Sequence, residues 1–275
     1  GGGQLSGQGS LGEDFTAFTI GGAFSKGKWN ARARGEYRDG EFAIRAGVTF
    51  AAIRELGNGS VAGGGFTWTE ATSPNRASTE VLDAAFSLAH RPDDSDFAFL
   101  SKLEYRSDAV TGAVAGEAGP VGQSALIVTG DAKSRRVIAS VAANWTPTDE
   151  DTSSQRSEVG LFAGVRHNFD QFEGFDLSGT TVIGGVDARI GLGERIEVGG
   201  RASVRHNVDS GVTSFSVGPE IGFVPADNVL VSVGYNVIGY RDPDFSAART
   251  TDQGLFASIR LKFDADSFGF LGRGQ

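Results

Sequence analysis

Apolar and polar residues alternate one by one along most of this chain, in blocks of about ten positions separated by short polar stretches. Between Arg195 and Asn207, one parity holds Ile196, Val198, Gly200, Ala202 and Val204, and the other holds Arg195, Glu197, Arg201, Ser203 and Arg205. Strand side chains point alternately to two faces, so this block reads as a ribbon with one oily side and one charged side. The pattern recurs where Trp29, Ala31, Ala33, Gly35 and Tyr37 alternate with Asn30, Arg32, Arg34, Glu36 and Arg38. It recurs again where Val137, Ala139, Val141, Ala143 and Trp145 alternate with Arg136, Ser140 and Asn144. Two-faced segments of this length, parted by turn residues, are the signature of a transmembrane β-barrel.

The pattern predicts strands over 14–25, 28–38, 41–53, 60–70, 78–90, 95–106, 134–146, 156–168, 177–190, 194–206, 213–224, 227–240 and 252–263. Single-chain bacterial barrels usually have an even strand number. A further strand within residues 3–12 is therefore expected, giving an all-β, antiparallel, up-and-down barrel of about fourteen strands, with twelve as the alternative. Short links at Pro92-Asp93-Asp94, Gly191 to Glu194 and Pro225 to Asn228 carry tight-turn residues. They alternate with longer links at 107–123, 167–176 and 241–253, provided 124–146 is one long strand. Short turns on the periplasmic side and long loops outside put the C-terminus in the periplasm. Residues 1–13 read as a Gly-rich lead or first strand, 14–263 as the barrel, and 264–275 as a periplasmic tail. Pro219 lacks a ladder donor in mid-strand, which predicts a bulge or a shifted boundary there.

Composition agrees. Gly at 41 and Phe at 20 suit strands and turns, since Gly costs a helix about 1 kcal/mol per position relative to Ala. No run of 18 apolar residues is present, which leaves a closed barrel as the way to span a bilayer with every backbone group paired. Mean hydropathy is −0.15, as expected when lipid-facing and lumen-facing residues average out. The chain has no Cys, hence no disulfide framework, and no Met, which suggests a processed chain or a fragment of a longer one. A formal charge of −9 argues against nucleic acid as a partner.

The last predicted strand carries Leu255, Ala257, Ile259, Leu261 and Phe263 on one face, against Ser258, Arg260 and Lys262 on the other. A final amphipathic strand ending in an aromatic resembles the signal read by the barrel-assembly machinery. Around it stand Gly234-Tyr235-Asn236, Gly239-Tyr240, Asp242-Pro243-Asp244-Phe245, Ala248-Arg249 and Gly254, with Val128-Thr129-Gly130-Asp131 and Leu192-Gly193 further upstream. Together they resemble the C-terminal outer-membrane barrels of very large, repeat-containing Gram-negative surface proteins, over most of residues 27–263. That resemblance implies an anchor with repeats upstream. It specifies a barrel well and an activity hardly at all.

Catalytic and ligand motifs are weak. Gly22-Ala23-Phe24-Ser25-Lys26-Gly27-Lys28 matches most of a phosphate-binding loop, yet Trp29 stands where Ser or Thr must reach magnesium, and a hairpin turn explains it. His90, His167 and His206 lack metal-ligand spacing. His167 and His206 sit in near-identical hexamers, Val165 to Asp170 and Val204 to Asp209, and read as rim residues. Ser210 and Ser214 near His206 leave an outer-membrane hydrolase as a remote reading. Asp242, Asp244 and Asp252 read as a solvated acidic outer loop, with calcium or cation-bridged lipopolysaccharide as the functional alternative. Trp29, Tyr37, Trp68, Trp145 and Tyr240, with Phe50, Phe169, Phe223 and Phe263, fall near predicted strand ends and read as interfacial aromatic girdles.

The predicted inner face is the most informative surface. Its cations are Arg32, Arg34, Arg45, Lys102, Arg106, Arg136, Arg166, Arg189, Arg201, Arg205, Arg260 and Lys262, and its acids are Glu36, Asp83, Glu104, Glu158, Asp187, Glu197 and Glu220. Twelve against seven leaves the lumen about five charges positive while the loops carry the acids. The expectation is a membrane anchor for a larger surface or envelope protein or assembly, with no cofactor or catalytic role. Its partners would be outer-membrane lipid, lipopolysaccharide and the assembly machinery. The alternative is a passive pore with mild anion preference.

Overall fold

The computed structural model describes residues 14–73, 77–92, 95–113, 130–147, 157–193, 195–226, 229–242, 244–245 and 251–261. Thirteen strands form one antiparallel sheet in which each pairs with its neighbours in sequence. They are β1 (Phe15–Lys26), β2 (Trp29–Gly40), β3 (Ile44–Gly57), β4 (Ser60–Thr72), β5 (Ser78–His90), β6 (Phe97–Ala113), β7 (Gly130–Trp145), β8 (Glu158–Phe172), β9 (Phe175–Leu192), β10 (Ile196–Asn207), β11 (Thr213–Ala226), β12 (Val229–Asn236) and β13 (Gly254–Leu261). Each matches one predicted block. The strand expected within 3–12 lies outside the described residues, and β1 and β13 are not paired with each other among them.

Directly opposed residues of an antiparallel pair share a face, so register sorts the side chains. One row runs from Arg32 through Ala51, Gly65, Ala85, Glu104, Ile138, Arg166 and Thr181 to Asn207. This face holds the charges and is called inner here. The other face carries an apolar belt, with charged residues such as Arg54, Glu70, Glu80 and Arg135 towards the strand ends: Phe18 and Ile20 on β1, Phe50 on β3, Phe86 on β5, Val141 on β7, Leu161 on β8, Ile221 on β11 and Leu255 on β13 are all exposed, Leu255 to 76%. A continuous belt of that size far exceeds what a water-soluble monomer presents, and it is stable only against an apolar medium.

Hairpins at the rim where β13 ends are mostly tight. Asn58 and Gly59 both have positive φ (46° and 66°), the backbone of a two-residue turn that matches strand twist. At the opposite rim, 167–176 is not the long loop the sequence suggested. β8 runs on to Phe172 and β9 starts at Phe175. They are joined by Glu173 and Gly174, again both at positive φ (46° and 85°). A glutamate in the left-handed region is an uncommon turn former, so the sequence offered little sign of it. β6 likewise continues to Ala113, beyond the predicted 106.

Pro219 does produce an irregularity. β11 pairs through it with β10 without a break, Pro219 facing Gly200. Towards β12, Glu220 pairs with Gly234, so an unbroken ladder would set Val217 against Val237; Val217 bridges Ile238 instead. Val217 donates to the Ile238 carbonyl at 3.1 Å and accepts from the Val237 amide at 2.9 Å, so two residues oppose one, which defines a bulge. β12 therefore ends at Asn236, short of the predicted 240. A bulge re-aims the chain, and here residues 239–242, 244 and 245 lie on the inner face.

Candidate functional site

The inner face pairs most of its charge along the wall. Lys102 and Arg106 flank Glu104 at 2.9 and 2.8 Å. Arg189 bonds Glu158 and lies 3.9 Å from Glu197, while Arg201 bonds Glu220. Arg201 also stacks 4.0 Å over the Phe256 ring, whose space is provided by Gly234, where a Cβ would fall 2.2 Å from the ring. Arg34 meets Glu36 at 3.0 Å on the exposed part of the face.

What completes the site is the chain leaving β12. Gly239 permits a close approach, since a Cβ there would sit 2.2 Å from the Thr251 carbonyl oxygen. Tyr240 and Thr251 then clasp: the Tyr240 amide donates to the Thr251 carbonyl at 2.9 Å, and the Thr251 hydroxyl donates to the Tyr240 carbonyl at 2.6 Å. Tyr240 and Phe245 pack with Ile138 and Ile183, against Phe162, as a small apolar cluster on the inner wall. Phe245 occupies the hollow above Gly164, where any Cβ would collide with the ring at 2.5 Å. The Tyr240 hydroxyl donates to Ser203 at 3.0 Å, and Arg205 lies over its ring at 5.0 Å.

Between these aromatics, Asp242 is 2% exposed and takes Arg166 at 3.0 Å and Arg205 at 3.6 Å. Asp244 takes Arg166 at 2.5 Å, Arg136 at 3.2 Å and Arg106 at 3.6 Å. The predicted solvated acidic loop is thus corrected for two of its three members. Asp242 and Asp244 lie against the inner wall, because a lumen in cationic excess draws in the nearest mobile carboxylates. Asp252 remains exposed. Tyr240 is corrected too: it is 6% exposed and inside, not at a membrane interface, because the bulge after β12 turns it inward.

Register places Arg32, Arg34, Glu36, Arg45, Asp83, Lys102, Arg136, Glu158, Asp187, Arg189, Glu197, Arg205 and Glu220 on the same face as Glu104 and Arg166. Arg106, Arg136, Arg166 and Arg205 converge on the acidic segment, whereas Arg32, Arg34 and Arg45 stay exposed. Arg260 faces Leu230 in register; Lys262 and Phe263 lie outside the described residues. Leu255, Ala257 and Ile259 share the outer face, and Leu261 pairs with Val229 in register. Trp29 and Trp145 stand on the outer face at the rim where β13 ends, and Tyr37 and Trp68 on the outer face towards the opposite rim, Trp68 donating to Glu80 at 3.0 Å.

The remaining candidates do not converge. His167 is hydrogen-bonded to Thr180 and His206 to Thr213, each at 2.8 Å, on the rim. Ser210 donates to Asn207, and Ser214 accepts from Arg205. No group of three potential metal ligands exists among the described residues. The sequence reading missed Asp108, which pairs with Arg136 at 3.7 Å, and Phe245 and Phe256. The cationic excess was a sign that acids must come from elsewhere, but not of which loop supplies them.

No family model matches the chain, and no curated protein matches it. Solved structures do. The siderophore receptor PirA from Pseudomonas aeruginosa aligns at a TM-score of 0.59 with 10% identity, over 92% of this chain and 50% of that one. PirA from Acinetobacter baumannii gives 0.54 with 9% identity, over 82% and 40%. BauA, the ferric preacinetobactin receptor from the same organism, gives 0.50 with 12% identity, over 91% and 49%. The fold is that of an outer-membrane β-barrel. The chain spans about half the length of these receptors or less, and at such identity the likeness extends to the fold alone.

Replacing Asp242 by Ala removes the carboxylate paired with Arg205 and leaves Arg166 with Asp244 alone. Because both arginines keep some water contact, the cost is set at about 2–4 kcal/mol, the lower side of a buried-pair loss. The Tyr240 amide proton should then exchange at least tenfold faster, measured by hydrogen exchange in micelles. Gly164→Leu should give the same acceleration by evicting the Phe245 ring.

Proposed function

We propose that this chain is an outer-membrane barrel that holds a larger surface or envelope protein, or an associated assembly, at the bacterial cell surface. Outer-membrane lipid and lipopolysaccharide would surround the apolar belt, the barrel-assembly machinery would insert it, and no cofactor or catalytic step is assigned. The observation that carries the reading is the filling of the inner face of β6–β10 by Tyr240, Asp242, Asp244 and Phe245. Asp242 and Asp244 contact four arginines there and offset the charge of two of them. An anchor gains from a packed, ion-paired interior that stiffens the wall, whereas a pore needs that space open.

A passive pore is the second reading, favoured by the inner face of β1–β3, where Thr19, Arg32, Arg34, Arg45 and Thr49 are all exposed. Recording in planar bilayers separates the two. The anchor predicts small, weakly selective conductance; a large conductance rising in proportion to salt would replace it with the pore. Membrane residence has its own check. Val141→Arg, in the middle of the apolar belt, should cost about 2–4 kcal/mol of stability in lipid vesicles, read from urea unfolding. An unchanged midpoint would mean that this face does not meet hydrocarbon.

A further inference from the structure

Four strands, β6, β7, β8 and β10, bring four guanidinium groups to one patch of the inner wall: Arg106, Arg136, Arg166 and Arg205. The segment after β12 meets them as a ligand would. Its two carboxylates are adjacent, and both reach the same nitrogen, Arg166 Nη1, at 3.0 and 2.5 Å. They are kept in mutual register by the Asp244 amide, which donates to Asp242 at 3.2 Å. The wall supplies Thr181 as a further polar contact of Arg166, at 3.5 Å.

Formal charge shows what the patch wants. Glu104 is shared by Lys102 and Arg106, Asp83 faces Arg106 in register and Asp108 pairs with Arg136, so these three acids offset Lys102 and two of the four arginines. Asp242 and Asp244 offset the other two. If the segment lifts away, two positive charges on a partly buried wall lose their compensation, and planar guanidinium forks accept carboxylate and phosphate oxygens in the same geometry. Access is open on one side, since the inner faces of β1–β3 are exposed.

We propose that this patch is a binding site for polyvalent anions with adjacent acidic groups, of the oligophosphate class, and that Tyr240, Asp242, Asp244 and Phe245 form a displaceable stopper occupying it in their absence. The stopper imitates the ligand with Asp242 and Asp244 and is steadied by Tyr240 and Phe245 on either side. Entry of such an anion exchanges two carboxylates for two or more phosphate oxygens on the same arginines. The segment is then freed from the wall and the inner passage widens. This inference rests on the reading of the chain as a membrane barrel.

The absence of cysteine makes a clean test. Ser203, which accepts the Tyr240 hydroxyl at 3.0 Å, becomes a single reporter as Ser203→Cys in the full chain refolded into vesicles. Its labelling by a charged thiol reagent is timed with tripolyphosphate and with potassium chloride at equal ionic strength. Tripolyphosphate should speed labelling about tenfold and chloride should not. Adding D242N and D244N should make labelling fast without any anion, and adding R166Q and R205Q should abolish the response to tripolyphosphate. Rates unmoved by tripolyphosphate, or moved equally by chloride, overturn the site. A heat-dependent shift in gel mobility is scored on every sample. Its presence with flat labelling sinks the anion site alone, and its absence sinks the barrel reading and the site with it.

Discussion

Charge on the inside of a sheet whose outside must be oily is tolerable only if each charge finds a counter-charge or water, and this constraint organises the whole structure. Desolvating an unpaired arginine costs several kcal/mol. The wall answers with pairs between neighbouring strands, such as Arg201 with Glu220 and Arg189 with Glu158. Where the wall runs short of acids, the chain brings Asp242 and Asp244 in from a connection between strands. The inward segment is therefore a consequence of the inner-face composition, made geometrically possible by a bulge opposite Val217 and by Gly239.

Packing follows the same division. Small inner residues leave room for large groups from elsewhere: Gly164 beneath Phe245, Gly234 beneath Phe256. The buried apolar cluster of Ile138, Ile183, Tyr240 and Phe245 is small, as expected when most apolar side chains point the other way. A conventional hydrophobic core is replaced by an external belt and an internal ion network. The interior is accordingly packed and ion-paired along β6–β10, while Thr19, Arg32, Arg34, Arg45 and Thr49 on β1–β3 are exposed. The proposed anchoring role and the proposed anion site both draw on that asymmetry.

The likeness to siderophore receptors supports the architecture and no more, because ten per cent identity carries over no binding residue. Function has to be argued from what the inner face can do. Among the described residues, the hydroxyl-paired histidines of the rim and Ser210 and Ser214 do not meet as nucleophile, base and orienting group, whereas four arginines converge on Asp242 and Asp244.

Period-two alternation by itself determined the thirteen strands, their order and which side chains share a face, since a strand's two faces are written into residue parity and neighbouring strands joined by short turns must run antiparallel. It also determined that the inner face carries excess cations. Strand ends escaped it where a turn used Glu173 at positive φ, because that side chain gives no turn signal. The inward placement of Tyr240, Asp242, Asp244 and Phe245 escaped it as well. Asp242, Asp244 and Tyr240 look the same in sequence whether a loop faces water or folds against a wall. Only the tertiary structure, by setting arginines from β6, β7, β8 and β10 within reach of one another, created the field that draws those carboxylates inside.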